Sequence, residues 1–101
     1  MLPYAVCCIP AACELDLKKT ALAAKEKSID LIPMKDILPL TGYVRGGCSP
    51  IGMKKQFPTF IDETAQLFDV ISVSAGERGV QVIISSEELA KFIKAEFADL
   101  T

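Results

Sequence analysis

The residues best placed to do chemistry lie in one stretch, Thr41-Gly-Tyr-Val-Arg-Gly-Gly-Cys-Ser-Pro-Ile-Gly52, which carries Gly42, Gly46, Gly47 and Gly52. Glycines this dense permit positive φ and let another molecule approach the backbone with no β-carbon in the way. Successive N–H groups in such a loop can converge on a phosphate or carbonyl oxygen. The spacing fits neither G-x-x-x-x-G-K-[ST] nor G-x-G-x-x-G, so neither of those phosphate-binding mechanisms transfers. An irregular loop with tight turns would have the same composition. No acid occurs between Asp36 and Asp62, while Arg45, Lys54 and Lys55 add +3 to a chain of formal charge −2, leaving −5 for the remainder. A local positive patch suits an anionic ligand met at one place. It does not suit a grip on a long duplex, which needs many phosphate contacts. Three solvated side chains on a loop are the plainer alternative.

A second glycine turn, Ser74-Ala-Gly-Glu-Arg-Gly79, joins two apolar segments, with Gln81 early in the second. Gly76 and Gly79 are usual hairpin residues. The functional alternative is that this turn lies beside the first loop and completes a pocket.

The chain has no histidine, which excludes Ser-His-Asp and Cys-His catalysis built from its own residues. Zinc would have to be held by cysteines and carboxylates. Cys7, Cys8, Cys13 and Cys48 form no C-x-x-C pair, so no metal or other cofactor is expected. Adjacent Cys7 and Cys8 would point to opposite faces of a strand, an awkward start for a disulfide framework. Unpaired thiols in a reducing cytoplasm are the expectation.

Positioning these loops falls to a short series of elements. Tyr4–Ile9 is an apolar run that suits a strand buried on both faces. Asp16 can cap a helix from Leu17 to about Lys27, with Leu17, Ala21 and Ala24 on one face. Ser28–Pro33 reads as a short strand, and Met34–Leu38 as a helical turn stopped by Pro39. Strands are expected at Pro58–Asp62, Leu67–Ser74 and Val80–Ile84, the last with Val80, Val82 and Ile84 facing one way. Ser85 and Glu88 make a capping box for a helix whose stripe is Leu89, Phe92, Ile93, Phe97 and Leu100. The fold class is therefore α/β (α+β), a mixed sheet with flanking helices.

At 101 residues, 50% of them apolar, the chain is one domain and can offset its ordering entropy. Met1–Cys13 has no Lys or Arg and is interrupted by Pro3 and Pro10, unlike a signal peptide or a membrane span. No membrane association is expected.

The two glycine segments, with Lys54-Lys55, Pro58-Thr-Phe-Ile-Asp62 and Val73-Ser-Ala-Gly-Glu-Arg-Gly79, closely resemble the YbaK/EbsC family. Leu15-Asp-Leu-Lys-Lys19 and Leu89-Ala-Lys91 also fall in family positions, so the likeness runs from the first strand to the last helix. The family comprises aminoacyl-tRNA deacylases related to the inserted editing domain of bacterial prolyl-tRNA synthetases. It implies trans-editing hydrolysis of the ester in a mischarged aminoacyl-tRNA, typically Cys-tRNA(Pro). By that resemblance Gly46, Gly47 and Ser74 would be the catalytic set. Arg45, Ser49, Pro50, Gly76, Arg78, Gly79 and Gln81 would bind substrate, with Gln81 standing where some relatives carry Asp. Fixed backbone donors aimed at the developing oxyanion would supply most of the rate, and a cysteinyl substrate could use its own thiol as nucleophile.

The family also carries an N-terminal segment ending in a Lys-Thr strand whose lysine is central to deacylation. This chain is expected to correspond to the part that follows it. Two alternatives accompany that expectation: a module that binds aminoacyl-adenosine or a nucleotide without turnover, and a fragment that pairs with itself through an exposed sheet edge. The implied partners are the acceptor end of an aminoacyl-tRNA and a prolyl-tRNA synthetase.

Overall fold

A computed structural model describes residues 4–44, 47–53 and 57–101. In chain order its regular elements are β1 (Val6–Cys8), α1 (Leu17–Ala23), α2 (Ile37–Thr41), β2 (Thr59–Asp62), β3 (Ile71–Ser74), β4 (Gln81–Ile84), α3 (Ser86–Ile93) and β5 (Glu96–Ala98). Turns of 3₁₀ helix at Met34–Asp36 and Glu63–Leu67 join them.

β2 is the centre of the fold because all four of its residues are buried. It pairs in parallel with β1 on one side, Val6 opposite Thr59, and in parallel with β5 on the other, Phe60 opposite Glu96. Parallel neighbours need long crossovers, and the helices lie in those crossovers. Alternation along β2 sends Phe60 and Ile61 to opposite faces. Ile61 packs with Leu89, Ala90 and Ile93 of α3, whereas Phe60 packs with Ala24 and Leu100. Helical residues therefore cover both faces. β3 and β4 form a separate antiparallel ribbon, Ile71 opposite Ile84 and Ser74 opposite Gln81. The expected α/β class with flanking helices stands, its parallel and antiparallel pairings divided between two sheets.

Local chemistry sets most boundaries. Asp16 caps α1 by accepting from the Lys18 and Lys19 amides, both at 3.0 Å. That helix stops at Ala23 rather than near Lys27, because Lys25 takes a left-handed conformation at φ 58°. Ser85 Oγ accepts the Glu88 amide at 3.1 Å, as the capping box requires.

Other expectations are corrected. Ser28–Pro33 is not a strand: it pairs with none among the described residues, and Leu31 projects 73% exposed. Pro39 does not stop a helix but sits in the first turn of α2, where an N–H has no intrahelical acceptor to lose. Strand structure begins at Ile71 rather than Leu67, because Leu67 closes a 3₁₀ turn started by Asp62 accepting the Thr64 amide. β1 is half-buried along its length rather than buried on both faces. The last helix ends at Lys94, φ 55°, which places Phe97 on β5. Phe92 leaves the core stripe because the buried residues are Ser86, Leu89, Ala90 and Ile93, which rotates the stripe toward Ala90. Among the described residues no helix is long and apolar enough to cross a membrane.

Candidate functional site

The loop after α2 is tied down chiefly by its own backbone. Gly42 ends the helix in a left-handed cap, φ 82°, its amide donating to Leu38 O. Thr41 Oγ1 donates to Ile37 O at 2.8 Å and accepts the Tyr43 amide at 3.1 Å. The Gly47 amide reaches back to Val44 O at 3.0 Å. Ser49 is buried, and its Oγ accepts the Ile51 amide at 3.2 Å. Pro50 and Gly52 then border a small hollow with Met53, Phe57, Thr59, Phe92 and Ile93, about 160 Å³ in volume.

The second turn is as economical. Ala75 donates to Val80 O at 2.9 Å, and the Gly76 amide donates to Ser74 Oγ at 3.3 Å. Gly76 and Gly79 have φ of 99° and 79°, values that side chains resist. Gln81, exposed at the start of β4, accepts a 2.9 Å bond from Ser72 Oγ through its side-chain oxygen. Arg78 is exposed on the turn.

These two segments meet. A β-carbon on Gly47 would lie 3.3 Å from the Arg78 nitrogen and 3.4 Å from the Glu77 carbonyl carbon. A side chain at Gly47 would therefore press on the facing backbone, which would have to give by a few tenths of an ångström. A β-carbon on Gly76 would come within 2.9 Å of Tyr43 Cε1, so the tyrosine ring lies against that glycine. Tyr43 Oη donates to Ile51 O, and a β-carbon on Gly52 would be 3.2 Å from Tyr43 Oη. Tyr43 thus straps the far end of its own loop to the second turn.

Of the residues singled out by sequence, Gly47, Ser74, Gly76 and Arg78 belong to this junction or its immediate turn, with Gly79 and Gln81 following. Ser49 and Pro50 lie on the first loop; Arg45 and Gly46, and Lys54 and Lys55 of the positive patch, lie outside the described residues. Sequence reasoning missed Tyr43. The available signal was a single aromatic inside the first glycine-rich loop, which does not name its partner.

The chemical resources here are backbone amides, hydroxyls and a carboxamide. The amides of Gly47 and Gly76 already donate within the protein, so a substrate oxygen at either must displace or share that bond. Ser74 Oγ uses a lone pair on Gly76 and keeps its O–H to donate. All four cysteines are unpaired thiols. Burial pushes Cys7 above the ordinary thiol range and, with Cys7 beside it, Cys8 to about 11, so both are neutral near pH 7. Among the described residues no three Cys, Asp or Glu side chains converge as a metal site.

A family profile described as aminoacyl-tRNA editing domain matches residues 3–92. The chain belongs to the aminoacyl-tRNA editing domain family. The YbaK/EbsC resemblance drawn from the two glycine segments is thereby borne out. A relative from Enterococcus faecalis (strain ATCC 700802 / V583), EbsC, named as a candidate Cys-tRNA(Pro)/Cys-tRNA(Cys) deacylase, is 49% identical over 96 residues, 95% of this chain. The match spans 58% of that relative's length. Among solved structures, a candidate trans-editing enzyme for prolyl tRNA synthetase superposes with TM-score 0.75 at 25% identity, over 87% of this chain and 55% of that one. Hypothetical protein APE2540 shares the fold at TM-score 0.82 and 20% identity, over 93% of this chain and 63% of that one.

Proposed function

We propose that this editing domain hydrolyses the ester of mischarged aminoacyl-tRNA in trans, with Cys-tRNA(Pro) as substrate and the cytoplasm as its place of action. The observation that carries this reading is the seating of Gly47 against the Glu77–Arg78 backbone. It joins two side-chain-poor turns into one surface that a bulky aminoacyl-adenosine can approach closely. The name of the 49% identical relative supports the substrate class.

In this reading Gly46, Gly47 and Ser74 face the reacting ester, the Ser74 O–H donating to the carbonyl as negative charge develops on it. Water, or the thiol of a cysteinyl substrate, attacks that carbonyl, and the ester oxygen leaves on the terminal ribose. Arg45 and Arg78 meet phosphate, while Ser49, Pro50, Gly76, Gly79 and Gln81 shape the wall. A prolyl-tRNA synthetase that holds the tRNA would supplement a modest, salt-sensitive affinity.

Incubating the purified chain with cysteinyl- and alanyl-tRNA tests the proposal. The expected result is cysteine release well above the buffer rate, lowered at least tenfold by Ser74→Ala with KM little changed. Release no faster than in buffer for every aminoacyl group would overturn it.

A second reading, binding of aminoacyl-adenosine without turnover, is favoured by the internal engagement of the Gly47 and Gly76 amides. Calorimetric binding of a non-hydrolysable analogue with no ester loss would select it. Self-pairing is a separate proposal supported by β1, which borders the three-stranded sheet. Sedimentation showing only monomer at high concentration would remove it.

A further inference from the structure

The outward face of the β3–β4 ribbon carries a polar row that the ester chemistry uses only in part. Ile71, Val73 and Ile84 turn inward and pack against the core built on Ile61 and α3. Alternation puts Ser72 and Ser74 on the other face of β3, with Gln81 and Ile83 beside them on β4. Gln81 is directly opposite Ser74, and Ile83 directly opposite Ser72. Side chains so paired have β-carbons about 5 Å apart, whereas diagonal neighbours stand about 7 Å apart.

Proximity alone would therefore give the Gln81 carboxamide to Ser74. The structure has the diagonal pairing instead, with Ser72 Oγ donating to Gln81 Oε1 at 2.9 Å. Ser74 Oγ accepts the Gly76 amide at 3.3 Å, and no bond joins it to Gln81. Ser72 and Ser74 are separated by two residues of strand rise, roughly 6.6 Å, so an oxygen bonded to the first is drawn away from the second. A carboxamide oxygen is a ready acceptor for a hydroxyl proton. Ser72 thus occupies the acceptor that would otherwise compete for the Ser74 proton. Ser72 and Gln81 are both exposed, so water weakens their bond, and its effect is a bias between two positions rather than a lock.

We infer that Ser72 is a positioning residue, a latch that holds the Gln81 carboxamide off Ser74 and so keeps the Ser74 hydroxyl available to the substrate carbonyl. The inference rests on the reading of Ser74 as the donor to the ester. Without the latch, Gln81 Oε1 loses its hydroxyl donor and turns to the one directly across the ribbon. The Ser74 proton is then spent inside the protein, and the substrate must displace a carboxamide to reach it. Ser72 itself touches no substrate. Its influence passes through Gln81 to Ser74, and it should vanish when either is removed.

Cysteine release from cysteinyl-tRNA is measured for Ser72→Ala in the parent chain and in the Gln81→Ala and Ser74→Ala backgrounds. In the parent, kcat should fall roughly 2- to 10-fold with KM little changed, the range that one exposed hydrogen bond supports. Ser72→Thr, which keeps the hydroxyl and suits a strand, should retain the parent rate. Neither background should show a further loss on Ser72→Ala. An equal loss in the Gln81→Ala background would overturn the latch, because a purely structural serine has no need of Gln81. No loss in the parent would overturn it as well. Nuclear Overhauser contacts of the Gln81 side-chain amide supply a readout that needs no turnover. They should reach the Ser72 β-protons in the parent and move to those of Ser74 in Ser72→Ala. Contacts to Ser74 in the parent, or contacts unmoved by the substitution, would overturn the latch whatever the activity. A parent chain that releases no cysteine overturns the proposed function, and the Overhauser contacts then still decide where Gln81 is held.

Discussion

Two regions of this small domain are held by opposite means. Around β2 the hold is burial and a carboxylate. Ile61, Leu89 and Leu100 are at most 1% exposed, and Asp62 at the strand's end accepts the Leu100 amide at 2.9 Å together with the Thr64 hydroxyl. Asp16 completes the tie, its amide donating to Leu100 O at 2.7 Å. At the junction of the two glycine turns there is almost no apolar core. Backbone packs on backbone at Gly47, and one tyrosine bridges the rest. The first region carries the global stability, while the second is a shape that the first makes possible. Such a division is expected where a ligand-contacting surface must stay open yet fixed.

Leu89→Ala should do the most damage, since it empties the contact between α3 and Ile61. A loss of about 2–5 kcal/mol is expected in urea unfolding, and both regions should melt together. Separate transitions would show that the glycine junction is not supported by the core.

Asp62→Asn should cost about 1–3 kcal/mol, because the buried acceptors would become a poorer match for four donors. It should also change the acid limb. Burial raises the Asp62 pKa, but bonds from Thr64 Oγ1 and from the Leu100, Thr64 and Thr101 amides outweigh it and hold the group below the ordinary carboxylate value. A depressed native pKa means that the unfolded chain takes up the proton first. The stabilisation is therefore complete above roughly pH 4 and is lost as pH falls through the native value. The parent should lose stability steeply below about pH 4, and the variant less so; parallel curves would assign the acid sensitivity elsewhere.

Tyr43→Phe is the mildest and the most diagnostic change. It removes only the bond to Ile51 O, with a cost of roughly 0.5–1.5 kcal/mol. The expected signature is faster amide exchange at Ile51 and Gly76 together, with β2 unaltered. Faster exchange at Ile51 alone would mean that the ring, rather than the hydroxyl, holds the second turn.

How much was legible beforehand differs between these regions for a physical reason. Caps, alternation and glycine density are local, so Asp16, Ser85, β2, β4 and both turns could be read from neighbouring residues. Pairing is not local. Ser28–Pro33 has the composition of a strand but no partner, and Leu67–Val70 yields to an acidic 3₁₀ start at Asp62. The candidate site was legible as two segments and not as one surface. Gly47 meets Glu77 and Arg78 through an absence of side chain, and a missing atom leaves no mark that identifies what fills its place. Phe92 reads as core by periodicity alone; the burial of Ala90 and Ser86 beside Leu89 and Ile93 shows the stripe rotated away from it.

The bond between Asp62 and Leu100 spans 38 residues. During synthesis the central strand and its acid, matched only by β1 and Thr64, must therefore wait for their remaining partners while the ribbon and the last helix are made. A chain paused on the ribosome before residue 100 holds a carboxylate without its amide and a strand without its outer neighbour. Only when the chain around Leu100 is free to fold back can β2 acquire this tie, so the order of synthesis sets the order in which its bonds can close.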